Sequence, residues 1–172
     1  MHRPSLVVFL ALLTGCVSVT STSAPRPSVL AMAPAYICAA DPALVQEQAA
    51  LLAEINRARA DAGLRPVRPD ARLAAAAHSH ACDNAQRAFL GHQGSDGSRP
   101  GIRALRAGYD YRMVAENLGL GFHSAPQAMF YWMRSPGHRK NVLAADATEA
   151  ALGLTTTSAG QLTWVLMMGT PR

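Results

Sequence analysis

The chain has 172 residues, of which 49% are hydrophobic and 16% are charged, so its composition is that of a globular protein and not of a disordered one. This length allows one domain of ordinary size. Its 16 basic and 11 acidic residues give a formal charge of +5, and the basic residues are spread along the chain without a dense run or interleaved aromatics. That pattern favours a solvated surface and argues against a nucleic-acid partner.

The N-terminal segment has the layout of a secretory signal. A basic start with Arg3 precedes an apolar run over residues 6–13, which is too short to span a bilayer. The sequence Leu13-Thr14-Gly15-Cys16 resembles the bacterial lipobox, in which the cysteine is acylated and becomes the mature N-terminus. We therefore predict a signal peptide over residues 1–15 and lipidation of Cys16. An ordinary signal with a chance cysteine is the alternative.

The lipobox also sets the expected location. Acylation of Cys16 makes the membrane a partner of an exported protein. Val17 stands where an aspartate is associated with inner-membrane retention, which favours the periplasmic face of the outer membrane in a source with two membranes. Residues 16–35 are rich in Ser, Thr, Ala and Pro with almost no charge, so they predict a flexible tether before a single domain over residues 36–172.

Two helices are predicted in the first half of that domain. The pair Asp41-Pro42 suits an N-cap and first turn, and apolar residues then recur at helical spacing until Gly63. After a proline break, Asp70 caps a second helix, whose apolar residues lie near one face as far as Ala88. An apolar face on each helix indicates packing against a core.

The cysteines Cys38 and Cys82 remain as a pair if Cys16 carries lipid. An oxidising compartment favours a disulfide between them, and two free buried thiols are the alternative. If the first two helices pack antiparallel, Cys38 at the start of the first comes near Cys82 late in the second. The disulfide and the helix predictions then support each other.

The middle of the domain is less regular. A polar, glycine-rich loop spans residues 91–101, with His92 at its entrance, and a short helix follows over about residues 100–107. Residues 109–115 predict a short strand or an extended connection. Ser135 is close to His138 in sequence and is therefore considered as a nucleophile. The proline that follows it indicates instead that Ser135 ends a helix and shapes a turn.

The last third combines one helix with a hairpin. Ser124 and Gln127 form a capping-box pattern for the helix. Its apolar side chains, predicted as a buried stripe, are Met129, Phe130, Trp132 and Met133. Two short runs of apolar or β-branched residues, 151–157 and 162–168, predict an antiparallel hairpin. Helices first and strands last indicate an α+β domain.

Three polar islands complete an ordered series: Gly91-His92, Ala115-Glu116-Asn117, and Ser135-Pro136-Gly137-His138-Arg139-Lys140-Asn141. In order and spacing the series resembles the CAP superfamily, which groups cysteine-rich secretory proteins, antigen 5 and plant pathogenesis-related proteins, and especially its bacterial members. The resemblance covers about residues 44–169. Its most specific parts are residues 132–141 and the pair Glu116-Asn117.

This resemblance implies an α-β-α sandwich with a central antiparallel sheet and one open cleft. In that family the cleft carries two histidines and two acidic residues, and His92, Glu116 and His138 match three of those positions. No glutamate stands between His92 and Glu116, and Asp96 is the candidate for the fourth position. The residues expected to line the cleft are His92, Asp96, Glu116, Asn117, His138 and Arg139.

The chemistry of these residues leaves two alternatives open. Two neutral imidazoles and a carboxylate suit a zinc site with an open position, with His92 and His138 as the metal ligands. Alternatively, the histidines and Glu116 only hold one another through hydrogen bonds. The other histidine pair, His78 and His80, lies two residues apart on a helix, so its members point different ways and predict surface or packing roles.

No nucleophile with a suitable partner is identifiable, so His92, Glu116 and His138 are only candidate catalytic residues and binding is favoured over turnover. The predicted function is an extracytoplasmic lipoprotein whose cleft binds a small ligand, lipid-like by resemblance to some relatives. A metal-assisted or acid/base hydrolase acting on cell-envelope material is one alternative. A structural or protein-interaction domain without turnover is another.

Overall fold

The computed structural model describes residues 38–172, so the predicted signal segment, the lipidation site Cys16 and the tether lie outside the described residues. In chain order the elements are a 3-10 turn Pro42–Leu44, α1 Val45–Asp61, β1 Arg68–Pro69, α2 Ala71–Arg87, α3 Pro100–Arg106, β2 Tyr111–Leu120, α4 Ala125–Arg134, α5 Pro136–Val142, β3 Glu149–Thr156 and β4 Leu162–Pro171. None of the helices between residues 38 and 172 is long and apolar enough to cross a membrane.

Side-chain caps begin the helices where the sequence predicts them. One carboxylate oxygen of Asp70 accepts hydrogen bonds from the backbone N–H groups of Arg72 at 2.9 Å and Leu73 at 3.1 Å. The hydroxyl of Ser124 caps α4 in the same way, by accepting from the N–H of Gln127. These oxygens satisfy backbone donors that the first helical turn leaves without partners.

The four strands form one sheet in the order β1-β3-β4-β2. The pairs β3–β4 and β2–β4 are antiparallel, and the two-residue strand β1 pairs parallel to β3. The predicted hairpin is therefore confirmed as the centre of the sheet. Because β2 pairs with β4 on its other side, the 111–120 segment that carries Glu116 lies at an edge.

Alternate residues of β4 face two different cores. Trp164, Leu166 and Met168 pack with α1, α4 and α5, whereas Val165 and Met167 pack with α2 and α3. Successive side chains of a strand point to opposite faces, so the two helix groups lie on opposite sides of the sheet. The α-β-α sandwich with a mainly antiparallel central sheet is confirmed.

The disulfide between Cys38 and Cys82 is confirmed, with 5.8 Å between the Cα atoms, but the reason given for it was wrong. The helices α1 and α2 belong to different cores and do not pack antiparallel against each other. The Cys38 sulfur instead lies 3.6 Å from the hydroxyl of Thr155 on β3. The segment at Cys38, which precedes α1, therefore lies beside β3, and the disulfide joins it to α2 at that point.

Three local predictions differ from the structure. The extended segment is a ten-residue strand that begins at Tyr111, and the turn after Ser135 continues as helix α5. Phe130 is 55% exposed, whereas its neighbour Met129 and Trp132 are buried. Each helical residue turns the chain by about 100°, so adjacent positions cannot share one narrow buried stripe.

Candidate functional site

The Glu116 carboxylate is the centre of the predicted cleft. Its side chain is 1% exposed, and both of its oxygens have partners. One oxygen lies 2.8 Å from Nδ1 of His92, and the other accepts from the Arg103 guanidinium at 2.6 Å. The structure thus brings together His92 and Glu116, two of the three residues that match the family's cleft motif, and adds an arginine that the sequence did not indicate.

The buried guanidinium of Arg103 organises the loop that carries His92. Besides its ion pair with Glu116, Arg103 donates to the carbonyl oxygens of Ser98 at 2.9 Å and of His92 at 3.1 Å. Helix α3 supplies this arginine from outside the three polar islands. Arg103 thereby neutralises the Glu116 carboxylate and holds the backbone of His92 against β2.

The third predicted residue, His138, is tied to β2 by two asparagines. The amide of Asn117 donates to the backbone oxygen of His138 at 3.0 Å. The amide of Asn141 donates to the side-chain oxygen of Asn117 at 2.8 Å and to the backbone oxygen of Glu116 at 3.1 Å. Because these bonds join α5 to the strand, they fix the position of His138 relative to Glu116.

Both cleft histidines have an unprotonated nitrogen in the neutral state. Burial lowers the pKa of His138, and the nearby charge of His92 lowers it further. An imidazole with a depressed pKa stays neutral and keeps a lone pair at neutral pH. In His92, donation from Nδ1 to Glu116 leaves the lone pair on Nε2.

A third histidine, His80, adjoins the same carboxylate from helix α2. Its Nε2 lies 2.8 Å from the backbone oxygen of Gly91 and 3.8 Å from Glu116. Burial lowers the pKa of His80 more strongly than Glu116 raises it. His80 is therefore a neutral packing and hydrogen-bonding group, as predicted, and not an ionic partner of the carboxylate.

The candidate for the fourth acidic position, Asp96, does not join Glu116. One of its oxygens accepts from the N–H of Ser98 at 2.8 Å, and the other pairs with Arg106 at 2.5 Å. It lines a separate cavity of about 200 Å³ between α2 and α3. Asp96 is therefore paired with Arg106 of α3 and does not contact Glu116, and its assignment to the fourth position stays a prediction.

Asp96 should contribute to acid stability instead. Burial by itself raises the pKa of Asp96, but hydrogen bonds from Ser98 and Arg106 outweigh it and lower the pKa to about 2. A carboxyl group whose pKa is lower in the folded state stabilises the fold above its unfolded pKa, and this contribution is lost as the pH falls towards 2. The free energy of unfolding of Asp96→Asn, measured with urea, should therefore fall less steeply below about pH 4.

Asp110 provides the matched control for that measurement. Its side chain is 66% exposed, and its ion pair with Arg172 is long, at 3.7 Å. We expect Asp110→Asn to follow the pH dependence of the wild type, since exposed pairs contribute little. Equal slopes for wild type and Asp96→Asn would contradict the role given to Asp96.

Metal-ligand side chains converge at one place between residues 38 and 172, and this place is not the cleft. Between residues 38 and 172, the one set of three or more His, Cys, Asp or Glu ligand atoms within 4.8 Å of one another is Cys38, His78 and Cys82. Its two cysteines form the disulfide and are not available as thiolates. In the cleft, Glu116 does not complete such a set with His92 and His138, so its place beside His92 is that of an orienting partner.

Two larger depressions are present in the described part of the chain, and the first of them adjoins His92. A groove of about 520 Å³ opens beside His92 and is bordered by Arg87 and Phe89. An apolar cavity of about 550 Å³ lies between α1 and the start of α2, lined by residues such as Leu52 and Ala74. Arg139, also predicted at the cleft, is exposed on α5.

Comparisons with known proteins agree on one family. The family model described as CAP, the cysteine-rich secretory protein family, matches residues 52–168. The protein YkwD of Bacillus subtilis is 29% identical over 98 residues, which cover 57% of this chain and 38% of that protein. The chain therefore spans well under half of the length of this relative.

Two solved structures have the same fold. An outer surface protein of Borrelia burgdorferi has a TM-score of 0.70 at 19% identity, with 75% of this chain and 96% of that chain covered. An extracellular protein of Bacillus anthracis that contains an SCP domain has a TM-score of 0.69 at 19% identity, with coverages of 78% and 45%. At this level of identity the likeness concerns the fold alone.

Proposed function

Because the chain belongs to the CAP, or cysteine-rich secretory protein, family, we propose that it is an extracytoplasmic binding protein whose cleft holds a divalent metal between His92 and His138. The metal, with zinc as the expected ion, would present an open position to a small ligand in the groove beside His92. Glu116 and Arg103 hold the first histidine in place, and neither is assigned as a metal ligand.

The hydrogen bond between His92 and Glu116 carries this proposal. Metal-binding histidines usually donate their second ring N–H to a carboxylate or carbonyl, which fixes the tautomer and the ring orientation. The 2.8 Å contact from Nδ1 of His92 to a buried carboxylate is that arrangement. The depressed pKa of His138 supports it further, because a neutral imidazole is needed for coordination.

The same geometry argues against acid/base hydrolysis. A general base must be within hydrogen-bond reach of the proton that it removes. One oxygen of Glu116 is held by His92 and the other by Arg103, and the carboxylate is 1% exposed. Binding is therefore proposed in preference to turnover.

Export and lipid anchoring are part of the proposal. They rest on the lipobox at Cys16 and on the signal pattern before it. The disulfide between Cys38 and Cys82 supports export, because such bonds persist in oxidising compartments. Two structural relatives bear the descriptions extracellular and outer surface protein, which is consistent with this location.

The metal site is tested by calorimetric titration of zinc into the oxidised protein, in a Cys16→Ser background. We expect one zinc ion per domain and at least a tenfold weaker affinity for His92→Ala and for His138→Ala, since each variant removes one of two protein ligands. Oxidised protein is used so that Cys38 and Cys82 contribute no thiolate.

The matched control is His123→Ala. It removes an exposed imidazole that precedes α4, whereas His138 follows the other end of that helix. This variant should bind zinc as the wild type does. If the affinity is the same for the wild type and for the double variant of His92 and His138, the cleft is not the metal site.

A further inference from the structure

The Cys38–Cys82 disulfide has a histidine, His78, beside it. Nε2 of His78 lies 3.6 Å from the sulfur of Cys82 and 3.9 Å from that of Cys38. His78 and Cys82 are four residues apart on α2, so their side chains lie on the same face of the helix. Two sulfurs and an imidazole nitrogen therefore meet within 4.8 Å.

The two sulfurs differ in their access to solvent. Cys82 is fully buried, whereas Cys38 and His78 are half-buried. An external thiolate therefore has better access to Cys38 than to Cys82, so attack at the Cys38 sulfur, with Cys82 as the leaving group, is the favoured route. The imidazole of His78, 3.6 Å from the departing sulfur, is placed to stabilise the thiolate that forms there.

We propose that reduction of this disulfide creates a metal site of two thiolates and one imidazole, formed by Cys38, Cys82 and His78. An external dithiol supplies the two electrons: its first sulfur bonds to Cys38 and releases Cys82, and its second sulfur releases Cys38 and closes a cyclic disulfide. A soft or borderline ion such as Zn²⁺ then displaces the thiol protons to solvent. The site is separate from the proposed metal of the cleft.

Coordination of a metal by His78 requires one existing hydrogen bond to break. Nε2 of His78 lies 3.0 Å from the backbone oxygen of Cys38, which only accepts hydrogen bonds, so Nε2 carries the proton in the neutral state. To bind a metal through Nε2, His78 gives up this bond and takes its proton on Nδ1. The metal replaces that contact with bonds to both sulfurs, and the segment at Cys38 stays attached to α2.

The oxidised and metal-bound states exclude each other, because the same sulfurs form either the S–S bond or the metal bonds. In both states Cys38 is linked to α2, and in the oxidised state its sulfur lies beside Thr155 of β3. The cluster is therefore a redox-dependent metal site in which the link between Cys38 and α2 is retained.

Cobalt(II) is the probe that tests this site in the full chain with Cys16→Ser. Thiolate ligands give cobalt a charge-transfer absorption in the near ultraviolet that histidine and carboxylate ligands do not give, so an ion in the cleft does not interfere. We expect about one equivalent of this absorption in reduced protein under anaerobic conditions, and none in oxidised protein. His78→Ala should weaken cobalt binding at least tenfold, and Cys82→Ser should abolish the absorption.

Gln86→Ala, an exposed change on the same helix, is the matched control and should bind cobalt as the Cys16→Ser parent does. Circular dichroism follows folding throughout. If reduction alone unfolds the domain, added cobalt must restore the helical signal. The proposal is overturned if reduced protein gives no thiolate absorption, if His78→Ala binds as tightly as its parent, or if the reduced chain stays unfolded with the metal present.

Discussion

Replacing Arg103 with methionine should reduce the free energy of unfolding by about 3 to 5 kcal/mol, the usual cost of removing one member of a buried ion pair. Its partner Glu116 is 1% exposed and would keep a carboxylate without its cation. The loop oxygens of Ser98 and His92 would also lose their donor. Urea unfolding followed by circular dichroism measures this change as a lower transition midpoint.

The double variant Arg103→Met with Glu116→Gln separates the ion pair from packing. Removing both charges destabilises the fold far less than removing one. The double variant should therefore regain at least half of the free energy of unfolding that Arg103→Met loses. Arg99→Met, at the exposed N-cap of the same helix, should change the midpoint little. A loss below about 1 kcal/mol for Arg103→Met would show that the carboxylate does not depend on this arginine.

Arg59→Met should reduce the free energy of unfolding by at least about 4 kcal/mol, because one buried guanidinium satisfies four backbone carbonyl groups. Arg59 is fully buried in α1. Its nitrogens donate at 2.9 to 3.1 Å to the backbone oxygens of Arg65, Val142, Ala144 and Ala147. Methionine fills the volume but leaves these acceptors without a donor, and the connection from α5 to β3 loses its attachment to α1.

The control for Arg59 lies two residues away on the same helix. Arg57 is 69% exposed and pairs with Glu54 at 3.0 Å, so Arg57→Met should cost less than about 0.5 kcal/mol. Thermal unfolding of both variants beside the wild type is sufficient for the comparison. Equal melting temperatures for Arg59→Met and Arg57→Met would contradict the role given to the buried arginine.

Local patterns predicted the elements of this fold well where a cap or an alternating pattern was present. Asp70 and Ser124 begin helices as expected, and the hairpin over β3 and β4 follows from its β-rich runs. The pairing of β2 with β4 joins residues about 50 positions apart, and nothing in the local sequence specifies such a pairing. For the same reason, the cysteine pair was predicted, but the path that brings the two cysteines together was not.

The same holds for the candidate site: residues in local motifs were predicted, whereas contacts made by the tertiary fold were not. His92, Glu116 and His138 were identified through motifs, and the structure places the first two in contact. Arg103 was missed because an isolated arginine in a short helix has the sequence character of a solvated one, and only the tertiary fold buries it. Asp96 was assigned to the cleft by position in the sequence, but its pairing with Arg106 requires three-dimensional information.

The most direct test of the proposed cleft is a crystal structure of the oxidised protein grown with zinc, with anomalous scattering used to locate the ion. We expect one zinc ion bound by a nitrogen of His92 and a nitrogen of His138, each at about 2.0 to 2.1 Å, while Glu116 still accepts from Nδ1 of His92. Zinc at saturating concentration that binds elsewhere and leaves both imidazoles without metal would contradict this expectation.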